Sequence, residues 1–198
     1  MRLVLASGSA SRRAMLEAAG VPFAIDRPNV DEDAAKAALL SADTAPRDVA
    51  DALAQLKAVK VSARDPAALV LGSDSVVELA DGTMLDKPTS RENAADHLRR
   101  LSGKRSRLHS AAVIVEGGRP VWREVDTAHL FVRPLSEEFI AAYLDAEWPA
   151  ISGCVGCFRI EGPGAQLFAR IDGSQFAVLG LPLLPVLDYL RVRGVLMS

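Results

Sequence analysis

Leu3-Val-Leu-Ala-Ser-Gly-Ser-Ala-Ser-Arg-Arg13 reads as a short buried strand, a serine- and glycine-rich turn and the first turn of a helix. Leu3 to Ala6 are apolar, Ser7 to Ser11 supply hydroxyls on a flexible backbone, and Ala14 to Ala19 favour a helix that Gly20 can end. Arg12 and Arg13 then fall in the first helical turn. The helix dipole disfavours cations there by a few tenths to about 1 kcal/mol, unless a nearby anion reverses the sign. Two readings stand at this point: an anion cradle, or ordinary N-capping followed by solvated arginines. The stretch is neither a P-loop nor a GxGxxG motif.

A strand running into a helix sets the pattern for the rest. Helical periodicity recurs at Ser11 to Ala19, Pro46 to Val61, Arg91 to Leu101, Glu137 to Trp148 and Leu183 to Arg193. Thr89-x-x-Glu92 is a capping-box pattern, Ser136 can cap the fourth helix, Pro149 stops it, and Gly194 ends the fifth. Strands are expected at Leu3 to Ala6, Phe23 to Asp26, Leu69 to Gly72, Val76 to Leu79, Leu108 to Val115, Val121 to Val132, Ser152 to Ile160 and Gln166 to Ile171, with turns at Asp81-Gly82, Gly117-Gly118 and Asp172-Gly173. Hairpin turns are as frequent as helical crossovers, which predicts a mixed sheet in one α/β or α+β domain over residues 1–198. Ala34 to Asp51 is weakly determined and reads as a mobile flap.

The formal net charge of −2 argues against a broad nucleic-acid-polymer surface, although a local basic pocket remains open. The apolar start is too short for a signal-peptide core, and the apolar run Phe176 to Leu187 is shorter than a span and contains Pro182 and Pro185, so a cytoplasmic chain without a membrane partner is expected. Cys154 and Cys157 are the two cysteines, spaced as in a redox pair or half a zinc site. No second pair accompanies them, and His97, His109 and His129 lack ligand spacing, which favours two reduced thiols.

Asp74 is the strongest chemical anomaly, a carboxylate inside the apolar run from Ala67 to Val77. It serves a turn between two strands, a metal or a proton transfer, and Gly72 beside it would admit a ligand to the backbone. Lys87 follows a hairpin that returns the chain toward Asp74. Lys57 sits at the edge of the stripe Val49, Leu53 and Leu56, where a snorkelling lysine is the ordinary outcome. Within Asp31-Glu32-Asp33 a carboxylate could join Asp74 around Mg²⁺, which takes few protein carboxylates and leaves room for phosphate and water. Glu161 ends an expected strand before a glycine-rich turn, as a ligand contact or an exposed charge.

In order along nearly the whole chain, Leu-Ala-Ser-Gly-Ser with Arg12-Arg13, Asp31-Glu32, Leu-Ala-Gln-Leu-Lys57-Ala58, Gly72-Ser-Asp-Ser-Val, Asp86-Lys87-Pro88, Leu101-Ser-Gly and Gly180-Leu-Pro resemble the Maf family of nucleoside triphosphate pyrophosphatases. The resemblance implies an α/β fold with a mixed curved sheet flanked by helices, two lobes around a central cleft, and a homodimer. It also implies hydrolysis of a nucleoside triphosphate to the monophosphate and pyrophosphate with Mg²⁺ or Mn²⁺. On the matching positions Asp74 is the principal catalytic residue, Glu32 joins it at the metal, and Lys57 and Lys87 contact the phosphates. Ser7, Ser9, Arg12 and Arg13 match the phosphate-binding loop, and Ser75 and Glu161 are further substrate contacts.

The substrate is less closely specified. Ala10-Ser11 stand where the family often has Pro-Arg, Ser75 where its branches have Thr or Gln, and His109-Ser-Ala where Thr-Gly usually follows the histidine. Phe158-Arg-Ile-Glu161-Gly and Gly180-Leu-Pro-Leu-Leu-Pro resemble the branch associated with 7-methyl-GTP more than the branch acting on dTTP and UTP, which has Gln at the position of Glu161. A non-catalytic nucleotide-binding regulator of cell division and a CxxC oxidoreductase are the rival readings.

Overall fold

A computed structural model describes residues 1–197. The elements run β1 (Leu3–Ala6), α1 (Ala10–Ala18), β2 (Ala24–Ile25), α2 (Glu32–Ser41), α3 (Pro46–Ser62), β3 (Leu69–Glu78), β4 (Met84–Leu85), α4 (Arg91–Leu101), β5 (Arg105–Glu116), β6 (Arg119–Val132), α5 (Glu137–Glu147), β7 (Phe168–Asp172), α6 (Gln175–Val178) and α7 (Leu183–Val192), with 3-10 turns at Ala150–Gly153 and Pro163–Leu167. Seven strands form one sheet in the order β2-β1-β3-β5-β6-β7, with β4 on β3. β1 runs parallel to β2 and to β3, whereas β3 with β4 and β6 with β7 are antiparallel, so the sheet is mixed as expected. The fold is α/β, and among the described residues no helix is long and apolar enough to cross a membrane.

Two compact units divide the chain. The first takes Met1–Ser75, Ser110–Asp126 and the chain from Ser174 onward; the second takes Val76–His109 and Thr127–Gly173. Strand alternation organises the first unit. Leu3 and Leu5 of β1, Leu69 and Leu71 of β3, and Ala112 and Ile114 of β5 enter one core with Met15 and Leu16 of α1 and Leu183, Val186 and Leu190 of α7. Val4, Val70 and Gly72 alternate to the opposite face. There a Cβ on Gly72 would overlap the Ala54 carbonyl oxygen and lie 2.9 Å from Ala58 Cβ, so α3 packs directly on this strand. The same alternation places Asp74 with Gly72, and Ser73 and Ser75 with the leucines.

In the second unit the Tyr143 hydroxyl donates to the Cys157 carbonyl at 2.9 Å, and buried Glu147 pairs with Arg159 at 2.9 Å. Glu78 takes Arg107 and, at 2.7 Å, His109 Nε2, while His109 Nδ1 lies 2.9 Å from the Thr127 hydroxyl. His97 is buried on α4 with Nδ1 at 3.5 Å from Cys157 Sγ. Burial lowers its pKa from the ordinary 6.5, Arg100 acts in the same sense, and Asp86 and Asp96 oppose it. The unfolded chain therefore binds this proton more readily than the folded one. Stability from this group is complete above the unfolded value and declines as the pH falls through it toward the depressed folded value. Melting of the wild type between about pH 7 and about pH 5 is expected to be more acid-sensitive than melting of His97→Gln. Parallel curves would contradict this.

Four local expectations are corrected. The expected strands Leu69 to Gly72 and Val76 to Leu79 are one continuous strand, because Asp74 finds a cationic partner and no break is needed to solvate it. Ala34 to Asp51 contains most of α2 and the start of α3. Asp31 caps α2 by accepting from the Ala34 amide at 2.9 Å, and none of the helix's residues is buried, which is why its apolar period was faint. The expected strand Ser152 to Ile160 is a 3-10 turn followed by irregular backbone, with Cys157 in the left-handed region at φ 55°. The cap of α4 is Ser90 in place of Thr89: its Oγ accepts from the Asn93 amide at 3.1 Å, and Asn93 Oδ1 accepts from the Thr89 amide at 3.1 Å.

Candidate active site

The first unit gathers three of the expected site residues. Lys57 Nζ lies 2.5 Å from Asp74 Oδ1 and 3.1 Å from Glu32 Oε1, and the lysine side chain is 6% exposed. The ordinary outcome for Lys57, a snorkelling head in water, does not occur. Close packing of α3 over Gly72 leaves the lysine facing the next outward residue of β3 on that face, Asp74. Gly72 thus admits a helix backbone and not a ligand, correcting the sequence expectation. A buried ion pair adds little net stability over apolar packing. Its presence inside an otherwise apolar strand and helix therefore points to chemistry.

On the other face of β3, Arg12 turns inward. Its Nε donates to the Gly180 carbonyl at 2.8 Å and its Nη2 to Ser75 Oγ at 3.0 Å. Burial pushes the guanidinium below its ordinary value, while the charges of Asp74 and Glu32 oppose that shift and mark both carboxylates as electrostatic neighbours. Arg12 remains a cation under all ordinary conditions. Ser73 Oγ also donates to the Gly180 carbonyl, at 3.0 Å, and Ser110 Oγ lies 3.0 Å from Ser75 Oγ. Sequence reasoning passed over Ser73 and Ser110 as site residues. Strand alternation in Gly72-Ser-Asp-Ser was the available signal, since it sends the serines and the aspartate to opposite faces.

The serines of the opening turn act locally. Ser7 Oγ accepts from the Ser9 amide at 3.1 Å, and Ser9 Oγ caps α1 by accepting from the Arg12 amide at 3.4 Å. Ser9 thus caps the helix as the ordinary reading expects, whereas Arg12 is drawn onto Gly180 and Ser75 and is not a solvated surface arginine. Arg13 is exposed and pairs with Glu17 at 2.7 Å. Lys87 and Glu161 belong to the second unit, where both are exposed and both act electrostatically on the Cys154 thiol. Burial raises the pKa of that thiol and pushes Cys157 up to about 12, and both cysteines are free. Thiols held protonated are poor nucleophiles, which speaks against the redox reading.

The Maf-like protein family matches residues 2–193. The chain belongs to this family. It is 50% identical over 194 residues to a nucleoside triphosphate pyrophosphatase of Sphingopyxis alaskensis, covering 98% of each chain. It is 52% identical over 193 residues to nucleoside triphosphate pyrophosphatase 1 of a Jannaschia species, covering 98% of this chain and 97% of that one. A nucleoside triphosphate pyrophosphatase of Caulobacter vibrioides is 47% identical over 194 residues, covering 98% of this chain and 96% of its own.

The carboxylates of this Maf-like chain suit a hard divalent cation. Asp74 and Glu32 both reach one ammonium, so their oxygens already converge on positive charge. Among the described residues no three His, Cys, Asp or Glu side chains cluster as a metal cage. Two carboxylates fit Mg²⁺, which fills its remaining positions with water and phosphate oxygens.

Proposed function

We propose that this chain hydrolyses a nucleoside triphosphate to the nucleoside monophosphate and pyrophosphate, with Mg²⁺ or Mn²⁺ held by Asp74 and Glu32. The observation that carries the reading is the buried Lys57 ammonium bridging Asp74 and Glu32, with the Arg12 guanidinium in their electrostatic range. The names of the relatives support it. A bound divalent cation would neutralise phosphate charge and make a coordinated water more acidic. Asp74 orients and deprotonates the attacking water, Glu32 shares the cation, and Lys57 and Arg12 offset charge that develops on the phosphates. Ser7, Ser9 and Arg13 at the opening turn are the further phosphate contacts that the family resemblance implies in the first unit, and the same resemblance implies substrate contacts for Lys87 and Glu161.

Within the same reading the substrate is a modified purine nucleotide such as 7-methyl-GTP, an assignment supported by Glu161 and the Gly180-Leu-Pro-Leu-Leu-Pro run. It includes a homodimer in the cytoplasm, with neither a nucleic-acid polymer nor a membrane as partner; sedimentation velocity of the purified chain checks the dimer. The decisive experiment is a nucleotide panel with pyrophosphate readout, with Mg²⁺, with Mn²⁺ and with chelator. Release is expected with metal only and fastest for 7-methyl-GTP. Preference for dTTP or UTP would overturn the substrate, undiminished turnover in chelator would overturn the metal, and nucleotide binding without any product would favour the non-catalytic regulator.

A further inference from the structure

We infer that Ser75 and Ser110 are positioning residues that act through Arg12, and that Ser75 makes no hydrogen bond to the phosphates of the nucleotide. The inference rests on the reading of Arg12 as a phosphate-binding cation. Its basis is the direction of a hydrogen-bond chain. Ser110 Oγ lies 2.7 Å from the Ala177 carbonyl oxygen, which can only accept, so the single Ser110 proton is committed there. Toward Ser75, 3.0 Å away, Ser110 can then only accept, and the single Ser75 proton is committed to Ser110. Ser75 Oγ in turn accepts from Arg12 Nη2 at 3.0 Å. The polarity is thus fixed from guanidinium to Ser75, to Ser110, to the Ala177 carbonyl. Ionised phosphate oxygens accept hydrogen bonds and do not donate them, so Ser75 has no proton to offer one.

The second edge of the guanidinium is fixed too. The Gly180 carbonyl takes Arg12 Nε at 2.8 Å and Ser73 Oγ at 3.0 Å, which uses both oxygen lone pairs. Gly180 has φ +99°, and a Cβ there would lie 3.3 Å from Ser75 Oγ and 3.5 Å from Arg12 Nε and Nη2. Held at Nε and Nη2, the guanidinium is fixed in orientation, and both Nη1 hydrogens and the second Nη2 hydrogen are left for an anion. Orientation of a planar donor fork, rather than direct contact, is what the serines contribute.

The test is a double-mutant cycle on the full chain, reading affinity for inorganic tripolyphosphate by calorimetry at fixed Mg²⁺, alongside pyrophosphate release from nucleotide. Ser75→Ala is expected to weaken tripolyphosphate binding about tenfold, the usual worth of one hydrogen bond to a charged group. Arg12→Lys weakens it further, and Ser75→Ala then adds nothing in the Arg12→Lys background. Ser75→Thr, which keeps the hydroxyl, retains wild-type affinity. Additive losses would overturn the inference, because they require Ser75 to touch the anion, and so would a wild type that does not bind tripolyphosphate. If Ser75→Ala does not fold, Ser110→Ala completes the same cycle with Arg12→Lys and is judged by the same criterion. A non-additive cycle together with no turnover of any nucleotide would sustain the Arg12 inference and remove the proposed hydrolysis.

Discussion

Asp74→Asn is expected to lower pyrophosphate release by about a thousandfold or more while leaving the chain folded. The change is isosteric and removes one negative charge. Lys57 keeps Glu32 at 3.1 Å, so the buried ammonium retains an anionic partner and the helix–strand packing has no cause to open. On the proposed mechanism the variant loses a base for the attacking water and one of two carboxylates for the cation, both of which that mechanism uses as negative charge moves onto the leaving pyrophosphate. The measurement is product release under saturating nucleotide and metal, with melting temperature and far-ultraviolet dichroism as controls. Wild-type turnover in a folded Asp74→Asn protein would dismiss Asp74 as the catalytic carboxylate. Loss of both fold and activity would instead make it structural.

Gly72→Ala carries the second large effect, on stability. The added methyl would overlap the Ala54 carbonyl oxygen and lie 2.9 Å from the Ala58 amide nitrogen, and neither backbone atom can rotate away. Either α3 lifts from β3 or the strand bends, at a cost of about 3 kcal/mol, which corresponds to a melting temperature lower by about 10 °C in a chain of this size. Because α3 carries Lys57, the displacement also separates Lys57 from Asp74 and activity falls in the protein that remains folded. Gly153→Ala is the matched control, since a Cβ there meets nothing within 4 Å. Equal melting of the two variants would show that the contact between α3 and Gly72 is not restrictive.

Much of this organisation was readable in the chain. Arg91–Leu101 was recoverable to the residue from its apolar stripe, buried through Ala94, Leu98 and Leu101, although the residue that caps it is Ser90 and not Thr89. The Gly117-Gly118 turn likewise forecast the pairing of β5 with β6, since a two-residue loop allows only an antiparallel return. Where the sequence misled, the cause was local: α2 buries none of its residues and so has no strong period, and the irregular backbone around Cys157 is apolar enough to resemble a strand.

The site divides in the same way. Residue order alone marked Asp74 as anomalous, because a carboxylate within an apolar run needs a partner, and the ordered motifs from the opening turn to Gly180-Leu-Pro were sufficient for the family. The partner itself was not legible. From the helix alone Lys57 belonged in water, and its burial depends on a glycine fifteen positions later in the chain that lets α3 settle onto β3. Nor could spacing reveal that Arg12 would meet Ser75 and the Gly180 carbonyl, groups brought beside it only by sheet registry and the turn before α7. Local pattern determined which elements form and which residues are chemically costly, since propensity and desolvation act at short range. Tertiary structure alone decided which costly groups compensate one another, because that depends on how closely two backbones can approach.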